Sequence, residues 1–271
     1  MSIYNINGVE ISSAYNVNGV SLPQCYDVNG NELMSGGGEI TFLDNAIITN
    51  VYTSSITSQP QGGCIDDEGN VYVCFYSEGK FRKYNIGTGT LTEASFTANA
   101  YGHANGMAYN PNTGYLYLAS MKTTGEVYVF DKSFNLVNTL YARNNNGDIF
   151  TCWNIAYDRV HQRFITIYAR KMYFMNDNFE YMSYVDCPES EIWPYTAQDI
   201  ESDGEFVYAV GYNPNHITVV DFNGNVVKMI SNTAFSGEPE SMCYDWINDK
   251  YYIEGKSSYF VIRQAEFIEQ K

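Results

Sequence analysis

The chain has 271 residues, a length that fits one large domain or two small ones, and 45% of them are hydrophobic, which is enough to form a core. With 31 acidic and 15 basic residues the formal net charge is −16, which argues against nucleic acid or an anionic membrane as a partner because both require a basic surface. The N-terminus lacks a basic segment followed by an apolar run, and no stretch approaches about 18 apolar residues in a row. We therefore expect neither a signal peptide nor membrane insertion.

The cysteines and histidines give no support for a metal site. Six cysteines are scattered without a CxxC or CxxH spacing and are interpreted as buried thiols. No glycine-rich phosphate loop opens a helix, and no calcium-loop spacing is present. The sequence therefore predicts no metal and no cofactor, although the carboxylates of Asp199, Glu201 and Glu240 leave a bound calcium ion open as an alternative. The cysteines are Cys25, Cys64, Cys74, Cys152, Cys187 and Cys243.

The first 34 residues repeat a short motif at intervals of eleven residues, at Tyr4–Gly8, Tyr15–Gly19 and Tyr26–Gly30. Each motif ends in Asn-Gly, a dipeptide that tolerates the positive φ angles of a tight hairpin turn, so each unit is predicted to be a small β-hairpin. Such a segment is too short to bury a core alone, so we expect it to attach to something else. The glycines of residues 35–38 predict a flexible linker.

This repeated opening resembles the N-terminal leaders of tail-associated and other virion structural proteins from phages and prophages of Gram-positive bacteria. The resemblance covers about 35 of the 271 residues. It implies that residues 1–34 attach to a phage structural protein and that the C-terminal module meets the host surface. It also implies a location in the virion, or in the bacterial cytoplasm before lysis. The resemblance transfers no catalytic residue.

Residues 39–271 carry a longer repeat. Within each unit a short apolar strand and a polar turn precede an aromatic strand, and the third strand of each unit ends in a polar turn. Those ends recur at intervals of 46, 45, 45 and 42 residues, at Tyr84-Asn85, Phe130-Asp131, Met175-Asn176, Val220-Asp221 and Ile262-Arg263. Units of this length and order predict an all-β fold, a five-bladed β-propeller with four-stranded antiparallel blades.

The last unit lacks a fourth strand, because the chain ends soon after its third. The segment near residues 40–48 precedes the first unit and has no unit of its own. We expect it to supply the outer strand of the last blade and to close the ring, since closure hides otherwise exposed sheet edges. A linear array that does not close is the alternative.

In the propeller fold the first strand of each blade lines the central channel, and ligands usually bind at the end where these strands begin. Polar residues precede the apolar run of the first strand in every blade, and aromatic residues lie in the preceding loops. Amides and carboxylates bind sugar hydroxyls while aromatic rings stack on sugar faces, so the pattern predicts a glycan site. Its predicted residues are Gln61, Asn105, His103, Trp153, Asn154, Trp193, Tyr195, Gln198, Glu240 and Arg170.

Three functions stay open at this point. The first is non-enzymatic recognition of a cell-surface glycan or cell-wall polymer, although amides at strand starts also cap backbone groups without binding a ligand. Arg170 and nearby lysines would favour an anionic polymer, unless they are simply solvated loop charges. The second is glycan cleavage with Glu240 and either Asp199 or Glu201 as the acid and base. The third is a scaffold propeller that binds protein.

Overall fold

The structure is a computed structural model. It describes the strand residues 4–6, 9–10, 16–17 and 20–21 and the ranges 40–122, 124–187, 197–211 and 214–269. All regular elements in these ranges are β-strands. Contacts divide the chain into two units, residues 1–42 with 268–271, and residues 43–267.

The N-terminal motifs form hairpins where the structure describes them. Strand β1 (Tyr4–Ile6) pairs antiparallel with β2 (Val9–Glu10), and β3 (Asn16–Val17) pairs antiparallel with β4 (Val20–Ser21). These pairings confirm the hairpins predicted for the first two motifs. The third motif and the predicted linker lie outside the described residues.

Three sheets each consist of four consecutive strands in antiparallel order. The first sheet contains β6 (Gln61–Ile65), β7 (Asn70–Phe75), β8 (Lys80–Asn85) and β9 (Leu91–Ser95). The second contains β10 (Gly106–Asn110), β11 (Tyr115–Ala119), β12 (Glu126–Phe130) and β13 (Leu136–Tyr141). The third contains β14 (Ala156–Asp158), β15 (Arg163–Tyr168), β16 (Lys171–Met175) and β17 (Tyr181–Asp186).

The remaining strands form one eight-stranded sheet in the order β18-β19-β20-β21-β5-β24-β23-β22. Its strands are β5 (Phe42–Thr53), β18 (Ala197–Ser202), β19 (Val207–Gly211), β20 (His216–Val220), β21 (Val226–Ser231), β22 (Glu238–Asp245), β23 (Lys250–Lys256) and β24 (Phe260–Ile268). The segment before the first repeat therefore lies beside β24, as predicted. Two separate four-stranded sheets were expected here, and that expectation is wrong. The twelve-residue β5 also meets β21 in parallel, through the pair Ser231 and Asn45.

We call β6, β10, β14, β18 and β22, the first strand of each repeat, the inner strands. They contact one another in sequence, and β22 in turn contacts β6, so that the contacts form a closed series. We call the end at which they begin the upper end and the opposite end the lower end. All inner strands run from the upper end to the lower end.

The polar residue after each inner strand organises the turn that follows it. Asp66 Oδ1 accepts hydrogen bonds from the backbone N–H groups of Glu68 and Asn70, and Asp158 and Asp245 accept equivalent bonds in their own turns. A carboxylate that replaces backbone partners in this way is the usual reason for Asp and Asn in tight turns. The repeated sequence pattern therefore encodes a repeated lower turn.

Each pair of neighbouring sheets buries its own apolar cluster. Phe81 and Phe130 meet between the first and second sheets with ring centroids 4.9 Å apart, and Tyr117 and Phe164 meet between the second and third at 4.4 Å. Aromatic pairs at these separations add to the hydrophobic stabilisation from buried area. The high aromatic content thus fills the interfaces between sheets.

Candidate functional site

Five polar side chains form a connected group at the upper end of the inner strands, which we call the upper cluster: Gln59, Gln61, Gln198, Glu238 and Glu240. The amide of Gln59 donates to both carboxyl groups, to Glu238 Oε2 at 3.0 Å and also to Glu240 Oε1. The amide of Gln61 donates to Glu240 Oε2 at 3.0 Å, and that of Gln198 donates to Glu238 Oε1 at 3.1 Å. The cluster thus joins β6, β18 and β22.

Glu240 is the buried member of the upper cluster, with 2% of its surface exposed. Burial raises the pKa of Glu240 to about 8, and the negative charge of Glu238 adds to this rise. The hydrogen bonds from Gln59 and Gln61 oppose it. At neutral pH Glu240 is therefore mainly protonated. The Gln61 side-chain oxygen is buried without a hydrogen-bond partner in the described part of the chain.

Two predicted site residues bind backbone instead of facing outward. The Asn105 side chain donates to the Gln198 carbonyl oxygen at 2.6 Å, and the Asn105 backbone carbonyl oxygen accepts from Gly62 N–H at 3.1 Å. Asn154 Oδ1 accepts from Ile167 N–H at 2.9 Å. Asn105 and Asn154 are also almost fully buried. These two amides therefore join strands, as in the alternative interpretation of the polar pattern.

Of the predicted aromatic residues, the structure describes Trp153 and His103. The Trp153 Nε1–H is buried and has no hydrogen-bond partner among the described residues. His103 is exposed and packs edge-on against Tyr76 with ring centroids 4.7 Å apart. Partial desolvation of its ring by such neighbours lowers its pKa. Trp193 and Tyr195 lie outside the described residues.

The basic residues predicted for the upper end mostly have acidic neighbours. Lys80 pairs with Glu93 at 2.6 Å, and Lys171 pairs with Asp186 at 2.8 Å. Arg170 is exposed at the tip of the turn between β15 and β16. The paired lysines fit solvated loop charges better than a built anion site.

Asp199 lies inside the channel and not at its upper mouth. It is fully buried, and a Cβ added to Gly106 would meet Asp199 Oδ1 at 2.6 Å. Burial raises the pKa of Asp199 well above its usual range, and the negative charges of Glu201 and Glu254 raise it further. Nearby backbone N–H groups act in the opposite direction and lower it. Neither carboxyl oxygen accepts a well-aligned hydrogen bond from the described residues. Asp199 therefore has no access to a ligand in this structure.

Glu201 lies at the lower end. It lines a pocket with room for about one water molecule. The other four inner strands each contribute the residue from one common position to the same pocket: Ile65, Tyr109, Tyr157 and Tyr244. Burial raises the pKa of Glu201 to about 8, while backbone hydrogen bonds and the positive charge of Arg159 oppose this. The structure therefore separates Glu201 from the network around Glu240, with which the sequence had grouped it.

Gln59 and Glu238 are not among the residues predicted from the sequence. Both precede a predicted site residue by two positions, in Gln59-Pro60-Gln61 and Glu238-Pro239-Glu240. Residues two apart on a strand point to the same face, and proline at a strand start keeps the backbone extended. The shared X-Pro-X pattern was the available signal.

Backbone strain also distinguishes the upper end. The left-handed non-glycine residues of the lower turns, such as Phe134 and Phe179, occupy positions where another repeat has glycine, such as Gly224. Among the upper ones, Arg170 likewise takes the position that Gly79 and Gly125 hold in the first two sheets, whereas the others follow no such repeat. Each left-handed non-glycine residue costs about 1–3 kcal/mol. Strain without a repeated structural reason is typical of functional regions. The upper residues in the described part are Asn99, Ala104, Met121, Ala169 and Arg170.

Two further classes of site find no support in the described ranges. They contain no group of three or more His, Cys, Asp or Glu side chains placed to hold a metal ion. Within the same ranges no helix has the length and apolarity needed to cross a bilayer.

No protein-family model and no curated protein sequence matches this chain. Solved structures do resemble it. The glutaminyl cyclase of Myxococcus xanthus superposes with a TM-score of 0.64 and 14% identity, covering 83% of this chain and 97% of that one. A luciferin-regenerating enzyme gives 0.54 with 10% identity, covering 82% and 95%. A streptogramin B lyase gives 0.51 with 10% identity, covering 82% and 98%. At this level of identity the likeness shows the fold alone: the chain is all-β, with a β-propeller fold.

Proposed function

We propose that residues 39–271 form a five-bladed β-propeller that binds a cell-surface glycan at its upper end without cleaving it. The count of five rests on the closed series of contacts among the five inner strands and on the five sequence repeats. The pairing of β5 with β21 merges two of the proposed blades into one sheet without changing that series.

The upper cluster is the observation that carries the proposed glycan binding. It brings three side-chain amides and two carboxyl groups together, and Gln59, Gln198 and Glu238 remain half-buried. Such groups exchange hydrogen bonds readily with hydroxyls, and Gln61 Oε1 still lacks a donor among the described residues. Trp153 and His103 add aromatic surface at the same end. A neutral, polyhydroxylated ligand fits this chemistry better than an anion.

The test is binding of the full-length protein to intact Gram-positive cells and to their purified wall polymers. We expect saturable binding that Gln198→Ala and Glu238→Gln each weaken about 5-fold, the equivalent of one hydrogen bond of about 1 kcal/mol. Gln264→Ala, which removes a half-buried amide from β24, is the matched control and should bind as the wild type does. Absence of binding to any envelope preparation would favour the scaffold function.

We further propose that the protein belongs to a virion and attaches to a phage structural protein through residues 1–34. The repeated motif and its two hairpins support this proposal. Deletion of residues 1–34 should abolish incorporation into particles and leave glycan binding unchanged. Loss of glycan binding in the same deletion would instead place the recognition surface in the N-terminal segment.

Glycan cleavage is a second candidate, favoured by the protonated Glu240 beside Glu238. Two carboxyl groups in different environments are the usual arrangement of a glycosidase acid and base. Release of reducing ends from a wall polymer, lost in Glu240→Gln, would establish it. Activity retained in that variant would exclude Glu240 as the acid.

A further inference from the structure

A groove between the second and third sheets lies apart from the upper cluster. It has a volume of about 220 Å³. Its wall is apolar, with Tyr115 from β11, Val129 from β12, and Val137 and Leu140 from β13. This is somewhat below the ~300–1,000 Å³ of sites for drug-sized ligands, so the groove fits a small ligand.

The apolar wall is open because β13 is the last strand of its sheet. Val137 is 48% exposed, although Val129 behind it is buried. Concave apolar surface that water can reach favours the binding of hydrocarbon or aromatic groups, since their transfer from water is favourable. The groove therefore fits a ligand with an apolar body.

One carboxylate borders this groove. Asp177, in the turn between β16 and β17, accepts a hydrogen bond at Oδ1 from the Asn110 amide at 2.9 Å. Burial raises the pKa of Tyr117, and it raises the pKa of Tyr157 to about 12. The negative charge of Asp177 adds to the rise at both tyrosines. No basic side chain of the described residues forms an ion pair with Asp177. The carboxylate is thus exposed beside the groove without a cationic partner among the described residues.

The equivalent position between the first and second sheets shows what this carboxylate lacks. There the turn residue is Lys132, which follows Asp131 as Asp177 follows Asn176. Its ammonium group pairs with Asp66 at 2.9 Å and lies 5.2 Å from the Tyr109 ring centroid. A built-in cation thus satisfies the acidic and aromatic groups of that interface.

Between the second and third sheets the charges of the equivalent residues differ. Asp177 takes the position of Lys132, Asn110 that of Asp66, and Tyr157 that of Tyr109. The interface keeps the aromatic residues and one negative charge but loses its own cation.

We propose that the groove binds a small organic cation, an alkylammonium or arylammonium compound with an apolar body. The ammonium group pairs with Asp177 beside the tyrosines, and the body lies on Tyr115, Val137 and Leu140. Ammonium groups are attracted to both carboxylates and aromatic rings. The net charge of −16 further favours a cation over an anion. This site is independent of the proposed glycan binding.

The experiment is calorimetric titration of the full-length protein with hexylammonium, hexanol and hexanoate at low salt. We expect saturable binding of hexylammonium at one site, at least 10-fold weaker binding of hexanol, and none of hexanoate. Equal affinity for hexylammonium and hexanol would overturn the proposal, because the carboxylate would then contribute nothing.

Three variants distinguish a loss of ligand binding from a loss of folding. Asp177→Asn should weaken hexylammonium binding at least 10-fold, and Asp177→Lys, which restores the arrangement of Lys132, should abolish it. Asp148→Asn changes an exposed carboxylate elsewhere and is the matched control. Thermal unfolding of each variant verifies that it is folded. Unchanged hexylammonium affinity in a folded Asp177→Asn variant would refute the assignment.

Discussion

Replacement of Glu240 by glutamine tests whether the upper cluster holds a proton. Glu240 is almost fully buried, and its pKa rises from 4.5 to about 8. Between these values the unfolded chain releases the proton while the folded protein keeps it. The free energy of unfolding of the wild type therefore falls as pH rises from about 4.5 to 8. The glutamine side chain of the Glu240→Gln variant does not titrate, so the variant lacks this loss.

The size of the effect follows from the shift. Each pKa unit corresponds to about 1.36 kcal/mol, so three units between pH 5 and pH 8 give about 4 kcal/mol. We expect the free energy of unfolding of Glu240→Gln, relative to the wild type, to rise by about that amount over this range. Contributions from Glu201 and Glu254 occur in both proteins and cancel in the difference.

The assay is urea unfolding of both proteins at pH 5, 6, 7 and 8, with the slopes compared to verify two-state behaviour. Glu180→Gln changes an exposed carboxylate in the turn before β17 and provides the control, for which we expect a constant difference. If the stability difference between Glu240→Gln and the wild type is the same at pH 5 and pH 8, Glu240 is not protonated in the folded protein and our reasoning fails.

Two further predictions concern the channel and the thiols. Gly106→Ala should reduce the free energy of unfolding by about 1–3 kcal/mol, because the new Cβ would lie 2.6 Å from Asp199 Oδ1 and 2.9 Å from backbone atoms. In the control Gly87→Ala the nearest atom would lie 3.5 Å from the new Cβ, so the free energy of unfolding should change little. Equal effects would contradict the close approach of the inner strands. In a Cys25→Ser variant no thiol should react with a disulfide reagent at pH 8 until the protein unfolds, because burial raises the pKa of each; fast labelling of the native protein would show an open interior. The thiols are Cys64, Cys74, Cys152, Cys187 and Cys243.

The sequence predicted the strand order well because repeats of turn and strand are local signals. The third-strand end predicted at Phe130-Asp131 coincides with the end of β12 (Glu126–Phe130), and the segment near residues 40–48 lies beside β24. The parallel contact of β5 with β21 was not predictable, since it depends on how far a long strand extends in space.

The site was harder to predict because the same residue types serve two roles. Asn105 and Gln61 both stand at the start of an inner strand, yet Asn105 bonds to backbone and Gln61 to Glu240. Sequence position does not reveal which partner lies across the channel. Glu201 was likewise grouped with Glu240, although the direction of its strand places it at the other end. Distances along a strand are therefore as informative as residue type.

The position of β5 also affects how the protein folds during synthesis. Ser54, just after β5, donates to the Phe260 carbonyl oxygen at 3.0 Å, across 206 positions of the chain. At ribosomal rates of about 5–20 residues per second, β24 is synthesised roughly 10–40 s after β5, and β5 lacks this neighbouring strand until then. An unpaired strand is an aggregation hazard during that time. Asp44, Asn45 and Asn50 interrupt its apolar residues, and polar interruptions of this kind reduce the tendency of an unpaired strand to aggregate.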